Sequence, residues 1–519
     1  MNLLKKLLCA KCSANFSTKE VRKEYDAPAD FETAITASGF GKFNYIVLVL
    51  SIPMCWMTVF ETTTMSYVFP AAQCDLNLTL EDKGMLNAVT YGGSIASAFV
   101  WGFIFDTMGR KQPLIVGFLL DGIFVLLSGL SQNAIFLMVM KFFGGFIMNG
   151  PYAALTSYLS ELHEAKYRSK VPIYTGLCVS VGTIYLPLLA SFVLPMNFKA
   201  ILADYLVLHS WSLFLLLNAL PALMGGFIFF FLPESPKFLM SMGKNEQALK
   251  VFQIIYSINT GNPKETYPIK TLIDEPKTND QHKMSESPLL NGWRQISPLF
   301  TQPLLRTFIL VCSVQLFMIM SLNTLRLWLP QLFQAINDYK YFNNGTSSTL
   351  CNMLSVIQPT NDTEECFVNF DNSEVYMNSI IVSSVSACSY LIVSTVVNVL
   401  GQNKLLNLLS LVASGCAMGI YFSPNSDIAL LFIAAFNSLA SVGSNVTLIV
   451  VVDLFPTTLR TMAVSLVMMC GRGAAMIGNI IFPLLLEMGC APPFLCLASL
   501  LFVCFCISLM LPKPNENFI

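Results

Sequence analysis

Charge is scarce in this sequence. Charged residues make up 12% of its 519 positions and apolar ones 54%, whereas a soluble domain carries about 25% charged residues. So few charges do not cover the surface of a water-soluble fold, and a mean hydropathy of +0.62 points the same way. A net charge of −1 offers no basic face to nucleic acid. No G-x-x-x-x-G-K-[ST] occurs, which excludes a P-loop engine in this chain. The three histidines, His163, His209 and His282, are scattered and form no metal set. Neither a nucleophile elbow nor H-E-x-x-H is present. The chain is therefore expected not to be an enzyme and to need no metal or cofactor.

What the sequence has instead is apolar runs. About twenty helical residues cross the ~30 Å hydrocarbon core, and only helices or closed barrels satisfy their backbone there. Twelve runs read as spans: 43–70, 84–105, 113–130, 134–160, 171–195 and 209–232, then 306–336, 376–400, 405–422, 427–452, 462–486 and 492–511. Six spans, a polar interruption and six more predict an all-α integral membrane protein, twelve transmembrane helices in two pseudo-symmetric six-helix lobes. The expected divisions are a tail at 1–42, a first lobe at 43–232, an inter-lobe loop at 233–305, a second lobe at 306–511 with a long loop at 337–375, and a tail at 512–519. The inter-lobe loop reads as linker with short surface helices, for example around Glu246–Tyr256. Lys5, Lys6 and Lys11 break the leucine-rich start before it forms a signal-peptide core. Cys9 and Cys12 beside them are either palmitoylation sites or part of a plain tail.

Lysine and arginine set the expected orientation. Arg110, Lys111, Lys166, Arg168, Lys170, the cluster from Lys237 to Arg306, Lys404 and Arg460 fall on the face of the termini, against Lys83, Lys199 and Lys340 on the other. The positive-inside rule then places both termini in the cytosol. Sequons at Asn77, Asn344 and Asn361 all lie in loops of the opposite face, as glycosylation requires. A fourth, at Asn445, lies inside a span and is expected to stay unmodified. Cys351 and Cys366 share the largest outer loop and are candidates to pair in an oxidising lumen, although spacing alone does not establish the geometry. The remaining cysteines read mostly as small apolar fillers.

Loop motifs recur at one offset, the mark of a duplicated half. Asp106 and Asn398, Gly109 and Gly401, Glu161 and Asp453, and Arg168 and Arg460 each lie 292 residues apart. The first copy reads Gly102-Phe-Ile-Phe-Asp106-Thr-Met-Gly109-Arg110-Lys111, and Pro233-Glu234-Ser235-Pro236-Lys237 follows span six. These motifs resemble the signatures of the major facilitator superfamily and of its sugar and organic-ion branch. Within that branch the stretches Asp82–Leu86, Tyr158–Leu162 and His209-Ser-Trp211 are similar to synaptic vesicle glycoprotein 2 and its insect relatives. The resemblance implies a monomeric carrier of a small organic solute, in a plasma, secretory or synaptic vesicle membrane. It also implies that Arg110, Arg168, Glu161 and Glu234 clasp the two lobes when the cytosolic side is shut; the plainer alternative is loop anchoring in the headgroup layer. The second copy is eroded, with Asn398 in place of the acid and Gln402 in place of the arginine.

Ionisable groups inside spans cost at least ~2.5 kcal/mol each, so each needs a reason. Glu61, Asp121, Lys141, Arg326 and Arg472 are such groups. Spans 1, 4, 7 and 11 would line a central cavity in the superfamily fold, which makes Glu61 the first candidate for a substrate or proton site. The helix-1 pattern of the vesicle glycoproteins, Asp-Gly-x-Glu, reads Thr58-Val-Phe-Glu61 here, with the first acid lost. Glu61 and Arg326 either serve a solute and a coupling proton or cation, or pair across the lobes as a gate. Lys141 and Arg472 are alternatively bonded near the cytosolic interface, and Asp121 is alternatively helix–helix glue. Trp56, Tyr67, Tyr91, Trp101, Tyr185, Trp328 and Tyr390 are candidate cavity aromatics or plain packing. Two functions remain open: a solute transporter, or a transporter-fold glycoprotein acting as a binding and trafficking partner.

Overall fold

The structure is a computed structural model that describes residues 28–168, 170–196, 198–203, 206–273, 297–355 and 373–512. Cys9, Cys12, His282, Asn361 and Cys366 fall outside the described residues, and nothing is said of the side chains of Asp106 and Asn398. Twelve long helices occupy the expected spans. They are α1 (Lys42–Ala72), α2 (Leu80–Met108), α3 (Lys111–Gly129), α4 (Ala134–Glu161), α5 (Val171–Val193), α6 (Ser210–Phe231), α7 (Leu304–Phe342), α8 (Ser373–Leu400), α9 (Gln402–Tyr421), α10 (Ser426–Leu454), α11 (Thr457–Glu487) and α12 (Ala491–Ser508). Among the described residues, eleven helices are long and apolar enough to cross a membrane. This is a multi-pass membrane protein.

Local chemistry sets the helix ends. Thr79 and Asp82 form a reciprocal capping box at α2, the Asp82 backbone N–H donating to Thr79 Oγ1 at 3.1 Å and the Thr79 N–H to Asp82 Oδ2 at 3.0 Å. Asn133 and Asn425 cap α4 and α10 through the N–H groups of Phe136 and Ile428. Gly109 and Gly401 end α2 and α8 at φ +86° and +76°, a left-handed turn that favours glycine. The two glycines that share the 292-residue offset thus make the same turn in each half.

The halves match inside the helices as well. The thiols of Cys55 on α1 and Cys178 on α5 are neighbours, as are those of Cys312 on α7 and Cys470 on α11. Cys178 and Cys470 also lie 292 residues apart. Each half has its own buried packing. Phe118, Tyr158 and Phe229 cluster in the first, and Trp328 packs on Phe482 in the second. The halves meet where α2 packs along α11, α5 along α8 and α1 along α7. The first two pairings exchange under the duplication, as a two-fold relation requires.

Two features were not anticipated in detail. A short antiparallel hairpin, β1 (Lys199–Ala203) and β2 (Leu206–His209), joins α5 to α6. On the opposite side the helices Phe31–Ser38, Pro236–Ser241 and Asn245–Thr260 cover the first lobe, the last of them containing the surface helix expected around Glu246. Asn259 fastens this cover, donating to the carbonyl of Gly39 at 2.6 Å and accepting from the Phe43 N–H at 2.9 Å.

The expected Cys351–Cys366 bridge is corrected: Cys351 is bonded to Cys490, with Cα atoms 5.4 Å apart. The outer loop folds back on the second lobe, where the Leu350 N–H reaches the Ser423 carbonyl at 3.2 Å. That contact delivers Cys351 to the turn between α11 and α12. Cys74 is disulfide-bonded too, so neither Cys74 nor Cys490 is an apolar filler.

Candidate functional site

Three of the five intramembrane charges come together inside the first lobe. Lys141 Nζ on α4 lies 3.1 Å from Glu61 Oε1 on α1, and each side chain is 1% exposed. Asp121 on α3 is buried beside them and feels the charge of both. Neither Asp121 oxygen has a hydrogen-bond partner among the described residues. The approach of α1 to α4 depends on Gly144, one turn beyond Lys141, because a Cβ there would collide with the Glu61 carboxylate. The cluster therefore holds two acids and one base in a site closed to water. The alternative pairing of Glu61 with Arg326 is overturned, because α4 presents Lys141 to Glu61 within the same lobe. Among the described residues Lys141 is paired with Glu61 rather than with a helix terminus near the interface.

Arg326 stands apart, on α7, at a cavity of about 100 Å³ between the lobes. The cavity is lined from α1, α5, α7, α8 and α10, with Thr63 and Tyr67 on one side and Ser386, Tyr390 and Ser441 on the other. Arg326 Nη2 donates to Asn323 Oδ1 at 2.7 Å, and its Nε is buried without a hydrogen-bond partner among the described residues. Asn323 also accepts from the Tyr91 hydroxyl on α2 at 3.3 Å, a link across the lobes. Tyr390 hydrogen-bonds Ser441 at 2.6 Å and accepts from the Asn445 amide at 2.9 Å. Asn445, the sequon inside a span, is thus engaged next to the cavity. Of the other candidate aromatics, Trp56 stacks on Tyr185 at 4.6 Å, Trp101 stacks on Phe105 and Trp328 is wholly buried.

Serines on α8 are among the cavity residues not singled out from the sequence. Ser379, Ser383, Ser386 and Tyr390 line it together. They recur at intervals of four, three and four, which places them on one helical face. That spacing was a readable signal in an otherwise apolar span.

Two further contacts tie the lobes. Arg472 on α11 donates to the amide oxygen of Asn149 on α4, so it bridges the halves rather than bonding a loop near the interface. Lys83 on α2 is buried and donates to Gln73 at 2.8 Å and to Gln331 of α7 at 3.2 Å. This second link lies toward the end that carries Asn77 and Asn344, both exposed. At that end His209 and Trp211 converge on Asp75, at 3.2 and 2.8 Å.

The loop motif is assembled, but within one lobe. Arg110 Nε lies 3.5 Å from Glu161 Oε1. The Glu234 carboxylate accepts from the backbone N–H groups of Arg110, Lys111 and Ser235 at 2.8–3.2 Å. Arg168 forms a two-pronged pair with Glu32 at 2.8 and 3.2 Å. All of these partners belong to the first lobe or its cover, so in this conformation the cluster fastens α2, α3, α4 and the segment after α6 rather than clasping the lobes. In the second half Asp453 is exposed and Arg460 Nε is buried without a hydrogen-bond partner among the described residues.

Fold and motif together define a membrane protein of the major facilitator type. The family described as "Sugar (and other) transporter" matches residues 57–337, more than half of the chain, and the chain belongs to it. Synaptic vesicle glycoprotein 2C of Mus musculus is 28% identical over 263 residues, covering 50% of this chain and 36% of that protein. Synaptic vesicle glycoprotein 2B of Rattus norvegicus is 26% identical over 351 residues, covering 63% and 51% respectively. The matches thus span about half or less of those relatives. The xylose transporter XylE from E. coli superimposes with a TM-score of 0.62 at 13% identity, over 91% of this chain and 100% of that one. A D-xylose-proton symporter gives 0.63 at 14%, over 92% and 100%. At such identities the likeness establishes the fold.

Proposed function

We propose that the chain carries a small organic solute across a membrane by rocking its two lobes about the central cavity, coupled to a proton held in the Glu61–Lys141–Asp121 cluster. The observation that carries this reading is a buried set of two acids and one base in the lobe that supplies Thr63 and Tyr67 to a cavity lined by both lobes. Burying an unpaired charge is costly. The cluster is electrically balanced when one of its two carboxyls holds a proton, and it must take up compensation whenever that proton leaves. Glu61 lies two residues from Thr63 of the cavity wall. Movement of α1 during rocking is therefore felt in both places. The symporter named among the structural neighbours makes a proton the first coupling ion to test, ahead of another cation. Both termini and the inter-lobe loop are assigned to the cytosol, and Asn77 and Asn344 to the outer side.

The test is uptake into proteoliposomes with an imposed pH gradient. An inward gradient is expected to accelerate uptake by wild type and not by Glu61→Gln or Asp121→Asn. Equal acceleration in both variants removes the cluster from the cycle. A second reading, a vesicle-type glycoprotein that binds and traffics partners, draws on the eroded motif at Gly401-Gln402 and on the names of the relatives. Well-folded protein with no flux of any solute would favour it.

A further inference from the structure

We infer that the solute is a small organic anion, a hydroxylated carboxylate, held through Arg326. The inference rests on the transport reading above and specifies its substrate class. Among the residues lining the cavity, Arg326 is the one with a permanent charge, and none is an acid. The remaining polar lining is hydroxyl and amide, including Ser180, Ser379, Ser383 and Asn437.

The other charges inside the spans already have partners. Lys141 has Glu61, Asp121 is buried within electrostatic reach of both, and Arg472 has the neutral amide of Asn149. Arg326 is the one of these charges that lines the cavity. Its hydrogen-bond partners are neutral, the Asn323 amide and the Tyr91 hydroxyl, and among the described residues its Nε is buried without a partner and no ion pair is formed with it. A guanidinium near the middle of a membrane helix without a counter-charge is costly. A planar carboxylate matches its fork of donors with two parallel hydrogen bonds.

The three solute classes fare differently here. An organic cation would meet Arg326 with no acid to offset the repulsion. A neutral sugar would leave the guanidinium uncompensated. A carboxylate would neutralise it, and the serine hydroxyls, which both donate and accept, suit hydroxyl groups on the same solute. The cavity of about 100 Å³ is below the usual ~300–1,000 Å³ of ligand pockets, which favours a solute of few heavy atoms. Moving one carboxylate with one proton is also electrically neutral, so the cycle would not depend on membrane potential.

The experiment is a thermal-shift series on the purified full-length protein with lactate, glycolate, xylose, choline and chloride as probes. Lactate or glycolate is expected to stabilise wild type, with xylose and choline inert. Arg326→Gln is expected to weaken the carboxylate by about tenfold or more, the loss of a charged hydrogen-bonded partner. Should that variant fail to fold, Arg326→Lys keeps the charge without the fork and is expected to retain the preference for lactate over xylose at reduced affinity. Stabilisation by xylose or choline but by no carboxylate overturns the inference, as does carboxylate binding unchanged in both variants. Chloride acting as strongly as lactate overturns the organic part. Flux is read separately in proteoliposomes. Carboxylate binding through Arg326 without flux under any gradient sinks transport and leaves the anion site. Xylose or choline flux without carboxylate binding leaves transport and sinks the anion site.

Discussion

Glu61 and Lys141 meet at 3.1 Å between α1 and α4, each side chain 1% exposed, with Asp121 as a second acid beside them. Their charges do not cancel in pairs, and that asymmetry orders the effects of removing each one. Glu61→Gln leaves Lys141 with Asp121 as counter-charge. Lys141→Met leaves two buried acids and no base. The lysine variant is therefore expected to be the more damaging, costing about 3–5 kcal/mol of stability, and Lys141→Met/Glu61→Gln is expected to recover part of that loss. Thermal unfolding in detergent across the double-mutant cycle measures it. Equal losses in the two single variants would dismiss Asp121 as a partner.

Gly144 leaves room for the Glu61 carboxylate. Gly144→Ala is expected to cost about 1–3 kcal/mol, as overpacking of a tight site does, and to lower turnover along with it. Gly176 has open space around it and serves as the control, where alanine is expected to have little effect. A thermal shift no larger at Gly144 than at Gly176 would contradict the packing seen here.

Lys83 joins Gln73 of the first lobe to Gln331 of the second. Removing the ammonium in Lys83→Met is expected to loosen the lobes at the end that carries Asn77. A cysteine placed at Thr63, on the cavity wall, should then react several-fold faster with a membrane-impermeant maleimide added from that side. Unchanged labelling would show that Lys83 does not hold this end shut.

Cys351 and Cys490 close a separation of 139 residues. Cys490→Ser is expected to lower second-lobe stability by about 2–4 kcal/mol, and adding Cys351→Ser should cost little more. Peptide mapping without reductant should recover the Cys351–Cys490 cross-link, and glycosidase treatment should convert Asn77 and Asn344. Recovery of a Cys351–Cys366 peptide instead would restore the pairing within the loop.

Much of this architecture was legible before any coordinates. The span ends fall close to where apolar runs give way to polar residues, because the cost of unsatisfied backbone in hydrocarbon is a local property of the chain. The duplication was legible because Gly109 and Gly401 answer the same local demand for a left-handed turn. The surface helix Asn245–Thr260 was anticipated near Glu246, whereas the hairpin at Lys199–His209 was not. Its strands are short, and pairing rather than composition defines them.

By itself, the sequence determined the number of spans, their grouping into halves, and which ionisable residues must be explained. Run length, offset and residue type are all properties of the chain taken in order. Only the tertiary structure decided which partners those residues have: Glu61 with Lys141 rather than Arg326, Cys351 with Cys490, and Arg110 with Glu161 inside one lobe. The physical reason is rotational. In water, a helix shows its inward face by an apolar stripe against a polar one. In a bilayer both the lipid-facing and the core-facing sides are apolar, so the pattern no longer states which way each helix is turned. That rotation, settled by packing against neighbours such as Gly144, is what brings one buried charge to another and leaves Arg326 facing the cavity.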